Sequence, residues 1–157
     1  MLFFIWPDGN SMQQRYVALA IGISFGLCTI AQASETFRTR LAPVAIDVAM
    51  RANVTGSGSL TAILAGSKLT ISGKFDGLRG PATVAHIHHG PVTGVRGPAV
   101  LELMVTKATS GAVSGSFDLT PEQIENLEKG RWYVQIHSQK APDGNLWGWL
   151  MPQENKR

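Results

Sequence analysis

From residue 44 to residue 151, apolar and polar side chains alternate with a period of two, the pattern of strands that bury one face. In residues 44–50 the larger apolar side chains Val44, Ile46, Val48 and Met50 fall on one side of an extended chain. The alternation returns in residues 60–65 and 68–75, and Gly66-Ser67 between them predicts a hairpin. Further strands are predicted at 82–88, 99–106, 112–119, 132–138 and 146–151. Eight short strands with turn residues between them predict an all-β fold, an antiparallel Greek-key sandwich or barrel. One segment predicts a helix, residues 121–129: Thr120 is an N-cap, Pro121 occupies the first helical position, Gln123 completes a capping box and Gly130 ends the run. Ile124 and Leu127, three apart, turn to the core, so this short helix is expected to lie as a lid over one sheet edge.

Ahead of the alternating region the pattern changes. Residues 16–30 carry no charge and follow Arg15, the positive-then-apolar order of a secretion signal. Fifteen residues are short for a membrane span, which needs ~20. Ala31-Gln32-Ala33 offers small residues where a signal peptidase reads, so residues 1–33 are expected to be a signal peptide, cleaved before Ser34. Met12 is the better start, because residues 2–10 are an apolar scrap and a turn without secretory logic. Residues 34–43 read as an extended, mobile linker, 44–151 as the β domain and 152–157 as a polar tail. The expected product is exported, periplasmic or extracellular, with no stable membrane span once the signal is removed.

The single cysteine, Cys28, lies inside the signal after Leu27, where a lipoprotein signal has a small residue, so neither a lipid anchor nor disulfide chemistry is expected. A chain of 157 residues with 16% charged side chains is one domain resting on core burial. The net charge of +3 is spread in scattered positions, which excludes a dedicated nucleic-acid binder. No Gly-rich phosphate loop leads from a strand into a helix, and no Gly-x-Ser-x-Gly elbow is present, so no catalytic constellation is complete. The sequon at Asn53-Val54-Thr55 matters only in a glycosylating host.

Candidate chemistry gathers in the histidines, all four of which lie in Ala85-His86-Ile87-His88-His89-Gly90 and Gln135-Ile136-His137-Ser138. Along a strand His86 and His88 share one face with Cα atoms ~6.6 Å apart, while His137 shares its face with Tyr133 and Gln135. A weak repeat aligns the two clusters: Ser72-Gly73-Lys74-Phe75-Asp76 matches Ser114-Gly115-Ser116-Phe117-Asp118, and each leads to a strand with Ile-His, Ile87-His88 and Ile136-His137. The repeat makes His88 and His137 equivalent and predicts that the two strands meet. Three imidazoles, His86, His88 and His137, form a candidate metal site for copper or zinc. The alternative is that each ring merely hydrogen-bonds a loop backbone. Ring nitrogens within about 3–3.5 Å of one another mark the ligand set. Asp76 and Asp118 read as turn residues, Glu122, Glu125 and Glu128 as a solvated helix face, and Trp132, Trp147 and Trp149 as core or sheet-surface aromatics, with Trp147 and Trp149 on one face.

The run Phe75-Asp76-Gly77-Leu78, Pro81-Ala82-Thr83, Ala85-His86-Ile87-His88, Gly97-Pro98, Leu119-Thr120, Tyr133-Val134-Gln135-Ile136-His137-Ser138 and Gly148-Trp149-Leu150 resembles the chordin-type CHRD domain over residues 44–151. That resemblance implies an exported β module and transfers no ligand. A looser one is to copper/zinc superoxide dismutase, a Greek-key barrel with two copper histidines in His-x-His and another on a late strand. By position it implies His86, His88 and His137 as ligands. It stops there: no cysteine pair follows, no zinc loop lies between Gly90 and His137, and no arginine after His137 matches. Two function classes follow. The first is a non-enzymatic module that binds a protein or an envelope or matrix component. The second is a copper- or zinc-binding protein built on the three histidines, with redox activity within its reach.

Overall fold

The structure, a computed structural model, describes residues 34–44 and 47–153. The expected signal peptide, its cleavage point and the end of the tail lie outside the described residues. The strands are β1 (Ser34–Pro43), β2 (Ser57–Ala65), β3 (Lys68–Asp76), β4 (Ala82–His89), β5 (Ala99–Val105), β6 (Gly111–Asp118), β7 (Trp132–Ser138), β8 (Ala141–Trp149) and β9 (Met151–Pro152), with α1 (Pro121–Glu128) between β6 and β7. They hydrogen-bond in the order β2-β3-β6-β5-β4-β7-β8-β1-β9, and β1 pairs with β2 as well, so the sheet closes. β9 is β8 resumed after Leu150, because Ala42↔Trp147 and Arg38↔Met151 keep one register along β1. The result is an eight-stranded antiparallel barrel with Greek-key crossovers from β3 to β4 and from β6 to β7. Of the two architectures that the alternation allowed, the closed one is realised, and closure leaves no unpaired edge.

Period-two burial explains each strand. β2 turns Leu60, Ala62 and Leu64 inward, β3 Leu69, Ile71 and Phe75, β4 Ala85 and Ile87, and β7 Trp132, Val134 and Ile136. The β2–β3 hairpin turns at Gly66, whose φ of 61° only glycine adopts without cost. Helix α1 forms where its signals place it: Thr120 Oγ1 accepts from Gln123 N, and Gln123 Oε1 accepts from Thr120 N. Gly130, at φ 65°, ends the helical turn, and Leu127 is fully buried. With no edge left to cover, α1 serves as the crossover from β6 to β7.

The start of the fold differs from the sequence expectation. Residues 34–43, read as a mobile linker, are the strand β1, with Phe37 and Leu41 inside the core and pairs to β2 running from Ser34↔Ala65 to Leu41↔Gly58. Of residues 44–50, read as the first strand, the described ones lie outside any strand: Val44 is exposed, Val48 is 75% exposed, and Ala49–Ala52 form a 3-10 turn. Ala45 and Ile46 lie outside the described residues. Asp47 Oδ1 accepts the Met50 N–H, a local side-chain bond that diverts the backbone from a ladder. The barrel position beside β2 and β8 is already filled by β1. At the other end β8 starts at Ala141, five residues ahead of the strand expected at 146–151. Pro152, assigned to the tail, pairs with Phe37, and Gln153 N donates to Thr36 O.

This reassignment has a direct test in denaturant unfolding. Phe37→Ala is expected to cost about 3–5 kcal/mol, the range for deleting a buried aromatic ring. Val48→Ser is expected to stay within about 0.5 kcal/mol, as exposed substitutions do.

Candidate metal centre

β4 and β7 are barrel neighbours in the register Ala85↔Ile136, His86↔Gln135, Ile87↔Val134 and His88↔Tyr133. With Ala85, Ile87, Val134 and Ile136 packed inside, the pleat turns His86, His88, Tyr133, Gln135 and His137 outward together. β8 adds Trp147 opposite Gln135 and Trp149 opposite Tyr133 on the same face. His86 therefore faces Gln135, and His137 stands one pleat further along. The two repeat copies do touch, at Ser72↔Ser114 between β3 and β6 and again along β4 and β7. His89 follows the inward series and pairs with Trp132, so it lies outside the cluster.

The three imidazoles come together. Ring centroids are 5.9 Å apart for His86 and His88, 5.5 Å for His86 and His137, and 6.5 Å for His88 and His137. One nitrogen from each lies within 4.8 Å of the others, wider than the 3–3.5 Å of a closed ligand set, and among the described residues no carboxylate or thiol joins the group. His88 Nδ1 donates to Gly97 O at 3.0 Å, and His137 Nδ1 donates to Pro142 O at 2.7 Å. A carbonyl oxygen only accepts, so each Nδ1 carries the hydrogen and each Nε2 holds a lone pair. Both Nε2 atoms are buried without a hydrogen-bond partner among the described residues. The His86 ring makes no hydrogen bond to a described residue, so it is free to swing and shorten its own distances to the other two, whereas the wider His88–His137 separation is set by rings already bonded to carbonyls.

The backbone carbonyls that set these tautomers come from two irregular segments. Between β4 and β5 the register slips after Ile87, and the following loop brings Gly97 back over His88. Tyr133 Oη holds the Gly97 peptide at both ends, accepting from its N–H at 3.3 Å and donating to its carbonyl at 3.1 Å. Between β7 and β8 the register slips by three after Ile136, so β8 bulges and presents Pro142 O to His137. Gln135 Nε2 donates to Asp143 O at 2.7 Å and fixes that bulge. Gly144, at φ 128°, is required there, because a Cβ would occupy the place of the Gln135 amide.

Aromatic rings wall one side. The Tyr133 ring stacks on His88 at 4.8 Å and lies parallel to Trp147 at 5.5 Å, and the Arg96 guanidinium sits 4.7 Å over the Trp147 ring. The expected shared face of Trp147 and Trp149 is present, whereas Trp132 is in the core. Burial lowers the pKa of His88, opposed by its bond to Gly97, and the charges of His86, His137 and Arg96 lower it further. Burial also lowers that of His137, with the Pro142 carbonyl and Asp143 opposing. Sequence reasoning missed Gly97, Pro142 and Arg96. Two of these act through a backbone oxygen that any residue carries, and only the Gly-Pro pairs beside the histidines hinted at shaped loops.

A family model described as CHRD domain matches residues 37–150, a span that begins at Phe37 within β1 and runs to Leu150 after β8. No curated protein and no solved structure matches the chain.

The lowered histidine pKa values set a pH dependence for the metal-free protein. The unfolded chain takes up protons below about pH 6.5, before the folded His88 and His137 do. Stability is therefore level above that pH, falls as acid carries the solution towards the folded pKa values, and levels again below them. Urea titrations at pH 7.5 and 5.5 should give lower stability at 5.5, with a smaller difference for His88→Gln.

Proposed function

The chain belongs to the CHRD domain family, and we propose that it works as an exported β module that holds a transition-metal ion, Cu(II) or Zn(II), on His86, His88 and His137. The observation that carries this reading is the pair of buried Nε2 lone pairs on His88 and His137, fixed as acceptors by the Gly97 and Pro142 carbonyls. A buried acceptor without a partner costs free energy, and a cation offsets that cost. Nδ1–H bonds to backbone carbonyls are the usual outer support of ligating histidines. An all-imidazole set suits copper and zinc, whereas magnesium, calcium and manganese favour oxygen donors. Closing the site takes a swing of His86 toward the other two rings and an approach of His88 and His137 to each other, since ligand atoms ~2.0–2.1 Å from one metal stand closer than the present spacing. Three protein ligands leave a coordination position for water or a small oxygen species, the open arrangement of reactive rather than purely structural sites.

Export rests on the Arg15-led apolar segment and Ala31-Gln32-Ala33. No helix among the described residues is long and apolar enough to cross a membrane. Binding of an envelope component, part of the other reading of the sequence, would use a different face of the barrel, the outer side of β1, β2, β3 and β6.

Calorimetric titration with Cu(II) and Zn(II) near neutral pH is expected to show one ion per chain. His88→Ala and His137→Ala should each weaken uptake by more than the roughly 10–100-fold typical of losing an outer-shell partner, while His89→Gln leaves it unchanged. Metal should leave as the pH falls through the imidazole range around 6.5. Equal uptake by wild type and His88→Ala would end the metal reading. For export, intact mass of the secreted species should place the N-terminus at Ser34.

A further inference from the structure

Across the barrel from the histidines, the outer faces of β1, β2, β3 and β6 carry side chains of a different kind. The registers set Arg38, Thr61, Ser72 and Ser114 in one cross-strand row and Arg40, Ser59, Lys74 and Ala112 in the next. A further row holds Thr36, Ile63, Thr70 and Ser116, with Ile63 the one large apolar side chain in the three rows. Arg38, Arg40 and Lys74 are exposed, and among the described residues the one salt bridge is Lys129 with Glu125, on α1. The three rows contain no carboxylate, and Asp76 closes the face at the far end of β3. Two open clefts lie here, of about 1000 Å³ and 450 Å³, and they share Arg40 and Ser59. Together they make a groove from Arg38 past Arg40 to Lys74, with the hydroxyls of Ser59 and Thr61 along it and, at the Lys74 end, apolar lining from Leu41, Pro43 and Phe75 beside the Asp76 carboxylate.

We infer that this groove is a docking surface for an acidic polysaccharide, a chain of uronic-acid sugars. Arg40 and Lys74 stand two strands apart, ~9.6 Å at the usual strand spacing. That matches carboxylates carried on alternate sugar rings, and Ser59 between the two cations can exchange hydrogen bonds with ring hydroxyls. Charge complementarity selects an anion, and the rest of the face selects among anions. It has no aromatic ring on which a nucleobase would stack. Its apolar parts are the isolated side chain of Ile63 and the Leu41, Pro43 and Phe75 end of the larger cleft, which form no continuous apolar stripe of the kind that inserts into a bilayer. It is rich in serine, which protein–protein interfaces deplete, and lacks the aromatics that they concentrate. The inference is independent of the metal reading, since the two surfaces share no residue.

The experiment uses the purified secreted protein and oligogalacturonate of defined length in affinity electrophoresis and calorimetry. Binding is expected, weakening as salt screens the charges. Arg40→Gln/Lys74→Gln should lose roughly tenfold or more in affinity, as two exposed charge contacts would supply. Lys107→Gln/Lys129→Gln, which removes two cations outside the groove, should bind as wild type. The same oligosaccharide as its neutral methyl ester should not bind. Unaltered far-UV circular dichroism of the variants separates a lost contact from a lost fold, and Arg40→Lys, which keeps the charge, should retain most of the binding. No binding, equal loss in the two double variants, or equally tight binding of single-stranded DNA or anionic phosphatidylglycerol vesicles would each overturn the inference.

Discussion

The antiparallel pairing of β4 with β7 is the contact on which both the core and the candidate site depend. Its register puts Ala85, Ile87, Val134 and Ile136 into the interior in alternate positions. Because the pleat has a period of two, the same register sends every intervening side chain out. A slip by one residue would exchange the two sets, burying three imidazoles and exposing four apolar side chains. Core packing therefore fixes the histidine face more firmly than any interaction among the histidines themselves.

Regular pairing brings the rings near one another, and departures from it orient them. The slip after Ile87 and the bulge opposite Ile136 each deliver one peptide carbonyl to an Nδ1. Tyr133 and Gln135, neighbours of the histidines on the same strand face, hold those two segments in place. A wall of Tyr133, Trp147 and Arg96 keeps the arrangement partly dry, which is why burial is the leading cause of the lowered pKa values. His86 is the exception, held by no hydrogen bond to a described residue, and that leaves the set adjustable.

Closure of the barrel gives the molecule two unlike outer surfaces. Around β4, β7 and β8 the face is aromatic and imidazole-rich; around β1, β2, β3 and β6 it is hydroxyl-rich and cationic. The interior is filled mainly by aliphatic and aromatic side chains from all around the ring. Function on this fold thus belongs to the faces, and the core is free to be chosen for packing alone.

Much of this was legible in the chain. Period-two alternation located seven of the strands, and the Thr120-Pro121-Glu122-Gln123 cap located α1, because burial and capping are local consequences of local sequence. The shared face of His86 and His88 followed from pleat geometry, and the CHRD resemblance from dispersed motifs. The first strand did not follow. Residues 44–50 show the same alternation, yet β1 holds the place between β2 and β8. The closed barrel, the diagonal placement of His137 and the row of Arg40, Ser59 and Lys74 were also decided by tertiary structure. Each depends on cross-strand register between segments far apart in sequence, which the side-chain pattern of one strand does not encode. The same holds for the Gly97 and Pro142 carbonyls, since a backbone oxygen carries no sequence signature until a fold places it.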